Sequence, residues 1–362
     1  MNIVKVGIIG CGNISDIYFK NMAGFENLKV MACADLVKSL AEEKADLYSI
    51  PDAISVSELL SREDINLVLN LTPPKAHAEI SIKALENGKH VYSEKPLAVS
   101  KEDGARIVEL AKQKGLLAGS APDTFLGAGI QTCLQLIQKG EIGRPVAASA
   151  SMMGSGPEQW HPNPEFFYKE GAGPLFDMGP YYLTALVQLL GPIQHVSASA
   201  SITFPERVIK TGEKKGQVIR VETPTHYTGV LEFEGGAAAT MVMSFDVAVP
   251  NPPLLEIYGS EGTLKIPDPN HFGGPVLLKK KGEEAWRDVE LTSPYSDNSR
   301  GIGVWDMVTA IQNQTSFRAN SEIAFHVLET MHAFQESAES GQKQIIKSSC
   351  IPSPPFIRES IT

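Results

Sequence analysis

The sequence predicts an α/β protein: an N-terminal doubly wound parallel sheet, then an α+β domain with a mostly antiparallel open sheet. Three observations predict this. The first 120 or so residues alternate short, continuously apolar runs with helical patterns, as strands covered on both faces by helices require. A glycine-rich turn, Gly10-Cys11-Gly12, sits between the first apolar run and the first helix. After about Pro122 the runs alternate polar and apolar residues and are joined by Gly- and Pro-containing turns, the pattern of antiparallel strands with one wet face.

In chain order, Val4–Ile9 reads as a buried strand, Asn13–Ala23 as a helix, Leu28–Ala34 as a second strand and Lys38–Leu47 as a charged helix. Ser57–Ser61 is a short helix, Ile65–Leu71 a third buried strand, and Pro74–Asn87 a helix ended by Gly88. His90–Ser93 is a strand, Lys101–Lys114 a helix ended by Gly115, and Leu116–Gly119 a strand. One more helix spans Gly127–Gly140. The alternating strands are Val146–Met152, His195–Thr203, His226–Phe233, Ala237–Phe245, Leu254–Gly259, Thr263–Ile266 and Val276–Lys280. Helices are predicted at Met178–Leu190, Gly303–Gln314 and Ser321–Ser340, and the Pro-containing end reads as extended. The expected domains are therefore residues 1–121, 122–345, and a tail at 346–362.

Length and composition fit that division. The 362 residues suggest two domains at roughly 150 residues each. With 43% hydrophobic and 20% charged residues the composition is globular, which excludes a disordered chain, a collagen-like fibre and a coiled coil. A net charge of -10 argues against a nucleic-acid partner. No apolar run approaches the ~20 residues of a membrane span, so no membrane partner is expected. The four cysteines, Cys11, Cys33, Cys133 and Cys350, form no CxxC pair. With no signal-peptide pattern at the start, the expectation is a reduced, cytoplasmic protein.

The glycine turn has the chemistry of a phosphate loop. Gly10 permits a tight turn, and Gly12 removes the side chain that would keep a pyrophosphate from the helix N-terminus. Asn13 and Ile14 follow at that terminus, and Ser15 stands where a third glycine would serve helix–strand packing. Asp35 ends the second strand, where a carboxylate accepts hydrogen bonds from a ribose diol and repels a 2′-phosphate. This favours NAD, with NADP left open by Lys38 and Ser39 nearby. The alternative is a structural turn beside a surface aspartate.

The most specific stretch is His90-Val91-Tyr92-Ser93-Glu94-Lys95-Pro96-Leu97, which places a lysine at the carboxyl end of a strand, where open α/β sheets bind ligands. Upstream, Asn70-Leu71-Thr72-Pro73-Pro74 ends another strand and His77 follows in the next helix. With Gly10-Cys11-Gly12, Gly140-Glu141-Ile142-Gly143 and Gly171 through Tyr181, these residues make the chain resemble the Gfo/Idh/MocA (glucose-fructose oxidoreductase / inositol dehydrogenase) family over roughly residues 3–345. The resemblance implies a Rossmann domain and an α/β domain whose open sheet forms a homodimer or homotetramer interface. It also implies oxidation or reduction of a carbinol of a sugar, inositol or related polyol. Lys95 would sit near nicotinamide and substrate, Thr72, Pro73 and His77 would line the cofactor, and Glu94 would approach the nicotinamide ribose.

Gly171 to Tyr182 joins a glycine-rich loop to a helix start. Asp177 and Tyr181 share a face if both are helical; if Asp177 is the cap, its side chain binds backbone N–H groups instead. The family pattern here is Asp-x-Gly-x-His, and this chain has tyrosine at position 181. A phenol titrates near 10, and a neighbouring ammonium such as Lys95 would lower that. The expectation is that Tyr181 takes the substrate proton while Lys95 polarises the same oxygen and Asp177 orients Lys95 or a second substrate hydroxyl. Tyr182 competes with Tyr181, because one residue of helix phase exchanges them. Trp160 and His161 begin an aromatic loop suited to the C–H face and hydroxyls of a sugar, or simply packed on itself. Asp123 lies in the stretch Ala121 to Phe125, in which many relatives carry an Asn or Arg, and an acid there suggests altered cofactor or substrate contacts. The remaining histidines show no metal-ligand spacing, so no metal is expected. Two other readings remain: a glycosidase or epimerase that oxidises its substrate transiently with NAD, and a non-catalytic NAD or sugar sensor.

Overall fold

A computed structural model describes residues 3–252 and 254–356. Of the expected tail, residues 357–362 lie outside the described residues.

The chain alternates strand and helix as its apolar runs dictate: β1 (Val4–Ile9), α1 (Ser15–Met22), β2 (Leu28–Ala34), α2 (Lys38–Tyr48), β3 (Asp52–Ala53), α3 (Val56–Ser61), β4 (Leu67–Asn70), α4 (Pro74–Glu86), β5 (His90–Ser93), α5 (Lys101–Lys114) and β6 (Ala118–Ser120). The strands form one parallel sheet in the order β3-β2-β1-β4-β5-β6. The order reverses between β1 and β4, and a doubly wound sheet takes its ligand at such a switch point. Val6, Ile8, Leu67, Val68 and Leu69 are fully buried, each stabilising the fold by roughly 1.5–3 kcal/mol. Local signals set the helix ends. Ser55 and Glu58 form a reciprocal capping box on α3, Ser100 caps α5, and Gly115 ends α5 in the left-handed region.

The second part runs α6 (Ala128–Gln138), β7 (Pro145–Met153), α7 (Gly173–Leu190), β8 (Ile193–Ser201), β9 (Glu206–Val208), β10 (Val218–Arg220), β11 (His226–Phe233), β12 (Ala238–Ser244), β13 (Leu254–Gly259), β14 (Gly262–Ile266), β15 (Val276–Lys280), β16 (Arg287–Val289), α8 (Ile302–Asn313), α9 (Ser321–Ser340) and β17 (Gln344–Ile345). Nine strands pair in the order β16-β15-β14-β13-β7-β12-β11-β8-β17, antiparallel except at β7–β12. One face carries small uncharged residues, including Ser149, Ser199, Thr228, Thr240 and Val242, in register across β7, β12, β11 and β8. β9 and β10 form a separate hairpin that the sequence pattern does not announce. Residues 346–356 have no regular structure, but two buried glutamines fasten them: Gln188 Oε1 accepts from Ser353 N at 2.9 Å and Gln131 Oε1 from Phe356 N at 2.6 Å.

By contact the chain forms two units. One runs to Leu126 and takes in Asp297–Leu328; the other holds Gly127–Ser296 and the chain from Glu329. A single cut at residue 121 leaves α8 in the second domain, whereas contact puts it in the first. Two features hold it there. Asp123 Oδ2 accepts from Gly301 N at 2.8 Å and Gly303 N at 3.0 Å at the start of α8. Asn320 pairs with Gly119 on the edge strand β6, which covers the edge.

Candidate active site

The first unit carries a cavity of about 1100 Å3 at the carboxyl ends of β1, β2 and β4, lined among others by Gly10, Gly12, Ile14, Asp35, Thr72 and Pro73. Gly10 has a φ of 102°, and its N–H donates to Ala34 O at 2.8 Å, closing the turn. At Gly12 a β-carbon would meet nothing within 4 Å. Asn13 and Ile14 are exposed at the start of α1. Ser15 is fully buried and its hydroxyl donates back to Gly12 O at 2.6 Å, so it fills the packing position expected of a third glycine.

Asp35 is half-buried and does more than face the pocket. Its Oδ2 accepts from Cys11 N at 2.8 Å and its Oδ1 from Val37 N at 2.9 Å, so the carboxylate also fixes the loop. Each oxygen retains a lone pair for a diol. Beside it Leu36 is 97% exposed, an apolar surface at the pocket rim. An open glycine cradle at a helix N-terminus, one carboxylate and an apolar rim fit the adenosine diphosphate half of a dinucleotide.

Around Lys95 the side chains are tied together. Glu94 accepts from the Tyr18 phenol at 2.8 Å through Oε1 and from Lys95 N at 2.9 Å through Oε2. Lys95 is half-buried at the turn after β5. Asn70 Oδ1 accepts the Thr72 hydroxyl at 2.6 Å, and Asn70 Nδ2 donates to His77 O at 3.0 Å. His77, expected to line the cofactor, is only 1% exposed. Its Nε2 lies 2.7 Å from Thr72 O and its Nδ1 2.6 Å from Pro96 O. Burial holds its pKa below the usual histidine value, against the pull of those two carbonyls. Asp123 is likewise buried: it is 1% exposed, and burial raises its carboxyl to about 6.

In the second unit α7 begins at Gly173, five residues before the predicted Met178, because Pro174 is tolerated in a first turn. Asp177 is therefore helical and not the cap, which is Ala172. Asp177 and Tyr181 lie one turn apart on a shared face. The helix phase separates the two tyrosines: Tyr181 is 8% exposed, whereas Tyr182 is fully buried. Burial and the nearby Asp268 push the Tyr182 phenol far above its ordinary value.

Trp160 is 66% exposed. His161 meets the edges of Trp160, Phe166 and Phe167 at centroid distances of 5.4 Å each, and its Nδ1 accepts from Asn163 N at 3.0 Å. The loop is thus both self-packed and open at Trp160. Beneath it lies a small core of Phe167, Tyr168, Ile209, Ile219, Val221 and Phe245. Arg207 of β9 donates to Glu158 at 2.9 Å and to Asp246. Sequence reading missed this brace, because the buried residue of β9 is an arginine between Glu206 and Val208 and no apolar alternation marks the strand.

Among the described residues no group of three His, Cys, Asp or Glu side chains could hold a metal ion, and no helix is long and apolar enough to cross a membrane.

Residues 4–121 match the family model described as oxidoreductase family, NAD-binding Rossmann fold, and residues 130–265 match the GFO/IDH/MocA C-terminal domain. A dTDP-3,4-didehydro-2,6-dideoxy-alpha-D-glucose 3-reductase of Saccharopolyspora spinosa is 29% identical over 306 residues, 82% of this chain and 84% of that one. The scyllo-inositol 2-dehydrogenase (NAD(+)) of Bacillus subtilis is 26% identical over 281 residues, 76% of this chain and 78% of that one. A structure of levoglucosan dehydrogenase in complex with NADH and L-sorbose shares the fold, with a TM-score of 0.83 at 21% identity over 96% of this chain and 100% of that one.

Proposed function

The chain belongs to the Gfo/Idh/MocA family of NAD-binding oxidoreductases, and from this we propose that it is a dehydrogenase moving hydride between a carbinol of a sugar, inositol or related polyol and nicotinamide. The observation that carries the reading is the pocket in which Gly12 leaves room for a pyrophosphate and Asp35 offers a carboxylate to a ribose diol. The bound nicotinamide supplies the hydride acceptor. Gly10, Gly12, Asn13 and Ile14 cradle the phosphates, and Thr72, Pro73 and Glu94 bound the cofactor.

Asp35 favours NAD over NADP, since a 2′-phosphate there meets a carboxylate. Lys38, the first cation after Asp35 in the sequence, pairs with Glu42 at 3.0 Å. Lys95 polarises the carbinol oxygen, Tyr181 takes its proton, and Asp177 orients Lys95 or a second substrate hydroxyl. Trp160 and His161 contact the polyol. The small exposed side chains of the central strands of the nine-stranded sheet, Ser199, Thr228 and Thr240 among them, support a homodimer or homotetramer interface, and the four free cysteines support a cytoplasmic location.

The test is a panel of sugars, inositols and sugar acids with NAD and with NADP, followed at the NADH absorbance band. We expect NADH from at least one polyol, faster with NAD. Lys95→Ala should lower kcat about 100-fold or more; a value within about twofold of wild type removes Lys95 from the chemistry. NAD-dependent conversion of a glycoside without net NADH would instead indicate transient oxidation.

A further inference from the structure

We propose that His77 is a positioning residue whose ring couples the turn that bounds the nucleotide pocket to the turn that carries Lys95. The inference rests on the role proposed above for Lys95. His77 lies in the first turn of α4, and its two ring nitrogens face backbone carbonyls of different turns: Thr72 O at 2.7 Å and Pro96 O at 2.6 Å. Thr72 lines the pocket, and Pro96 directly follows Lys95. The ring has almost no solvent exposure, so it acts through these carbonyls and not on a ligand.

The backbone around it is already stiff. Glu94 N donates to Asn70 O at 2.8 Å, and Asn70 Nδ2 donates to His77 O at 3.0 Å. Movement of either turn is therefore transmitted to the imidazole. A neutral imidazole has one N–H, so its tautomer decides which carbonyl receives the proton. The ring is shared between the two turns, and a ligand that favours one carbonyl position shifts the balance at the other.

Asparagine and glutamine divide the two functions. An Asn amide nitrogen falls where Nδ1 lies and can donate to Pro96 O; a Gln amide nitrogen falls near Nε2 and can donate to Thr72 O. His77→Asn should keep kcat within about threefold of wild type and raise the KM for NAD about tenfold. His77→Gln should keep that KM within about threefold and lower kcat about 10- to 100-fold, the cost of a misplaced catalytic group. His77→Leu should show both losses. If the Asn and Gln variants change kcat and KM alike, the role is merely structural and the proposal fails. Lys95→Ala is assayed in parallel. If it loses kcat while His77→Gln does not, the coupling is wrong; if it keeps kcat, the reading of Lys95 is wrong. Should the variants not fold, histidine 15N shifts of the wild-type protein decide. A His77 tautomer balance that moves on adding NAD supports the coupling, and one that does not overturns it.

Discussion

Gly10 lies so close to Leu71 that a β-carbon at position 10 would stand 2.5 Å from the Leu71 carbonyl carbon. Gly12, two residues on, has nothing within 4 Å of the same position. The two glycines of one loop therefore answer to different constraints, the first to the fold and the second to the ligand. Gly10→Ala should destabilise the first unit by more than about 1 kcal/mol, through both the clash and the positive φ. Gly12→Ala should leave the thermal midpoint of the ligand-free protein unchanged and weaken NAD binding at least tenfold, about 1.4 kcal/mol. Calorimetry of both variants checks this; a Gly12→Ala protein that binds NAD normally would remove the pyrophosphate from that spot.

Asp123 should make stability fall as pH rises. Burial raises its carboxyl from 3.8 to about 6, and the amides of Gly301 and Gly303 only partly offset that. Those amides both go to Oδ2, and Oδ1 is buried without a partner, so protonation at Oδ1 costs no existing bond. Between pH 4 and 6 the folded state holds this proton while the unfolded chain releases it. The contribution is complete below about pH 4 and is lost by pH 7, on the order of 3 kcal/mol. Asp123→Asn keeps an acceptor for both amides and carries no charge. The difference in unfolding free energy between variant and wild type should therefore grow in favour of the variant from pH 4 to 7. His77 contributes to both proteins with the opposite sign, since its lowered pKa adds stability as pH rises, and it cancels in the difference. A flat difference would show that Asp123 is ionised throughout.

Tyr181 and Tyr182 should separate cleanly by substitution. Tyr182 is fully buried, and the charge of Asp268 opposes its ionisation. Tyr182→Phe should keep kcat within about threefold, because it removes only a core hydroxyl. Tyr181→Phe should lose about 100-fold or more if Tyr181 takes the proton. The reverse result in steady-state kinetics would exchange their assignments.

What the sequence made legible was whatever local chemistry decides. Val4–Ile9, Leu28–Ala34 and His90–Ser93 are mainly apolar runs, and they appear as strands with those bounds. Asp35 was readable as the acid at a strand end, but not its second duty of holding Cys11 N–H, which depends on a turn 24 residues away. The buried placement of His77 was hidden for the same reason: its partners are carbonyls, which no side-chain pattern records. The backbone partners of Asp123 were hidden as well, because they lie 178 and 180 residues further on. The β9–β10 hairpin was missed because Arg207, flanked by glutamate and valine, reads as surface until its two carboxylates are found on other strands and loops.

Arg207 gives the remaining prediction. Its side chain is 7% exposed, and those of its partners Glu158 and Asp246 are 3% and 5% exposed. Arg207 also donates to Phe245 O at 3.2 Å, and the Tyr168 hydroxyl donates to Glu158. Arg207→Met keeps the volume and strands two carboxylates in a dry site. Removing one partner of such a cluster costs about 3–5 kcal/mol. The stranded carboxyls would gain protons more readily than in the unfolded chain, so the deficit should shrink as pH falls from 7 towards 4. Unfolding by urea at both pH values measures this. Because the cluster underlies the loop bearing Trp160 and His161, the KM for the polyol should rise more than kcat falls. A deficit below about 1 kcal/mol, or one indifferent to pH, would mean that the aromatic core alone holds the loop.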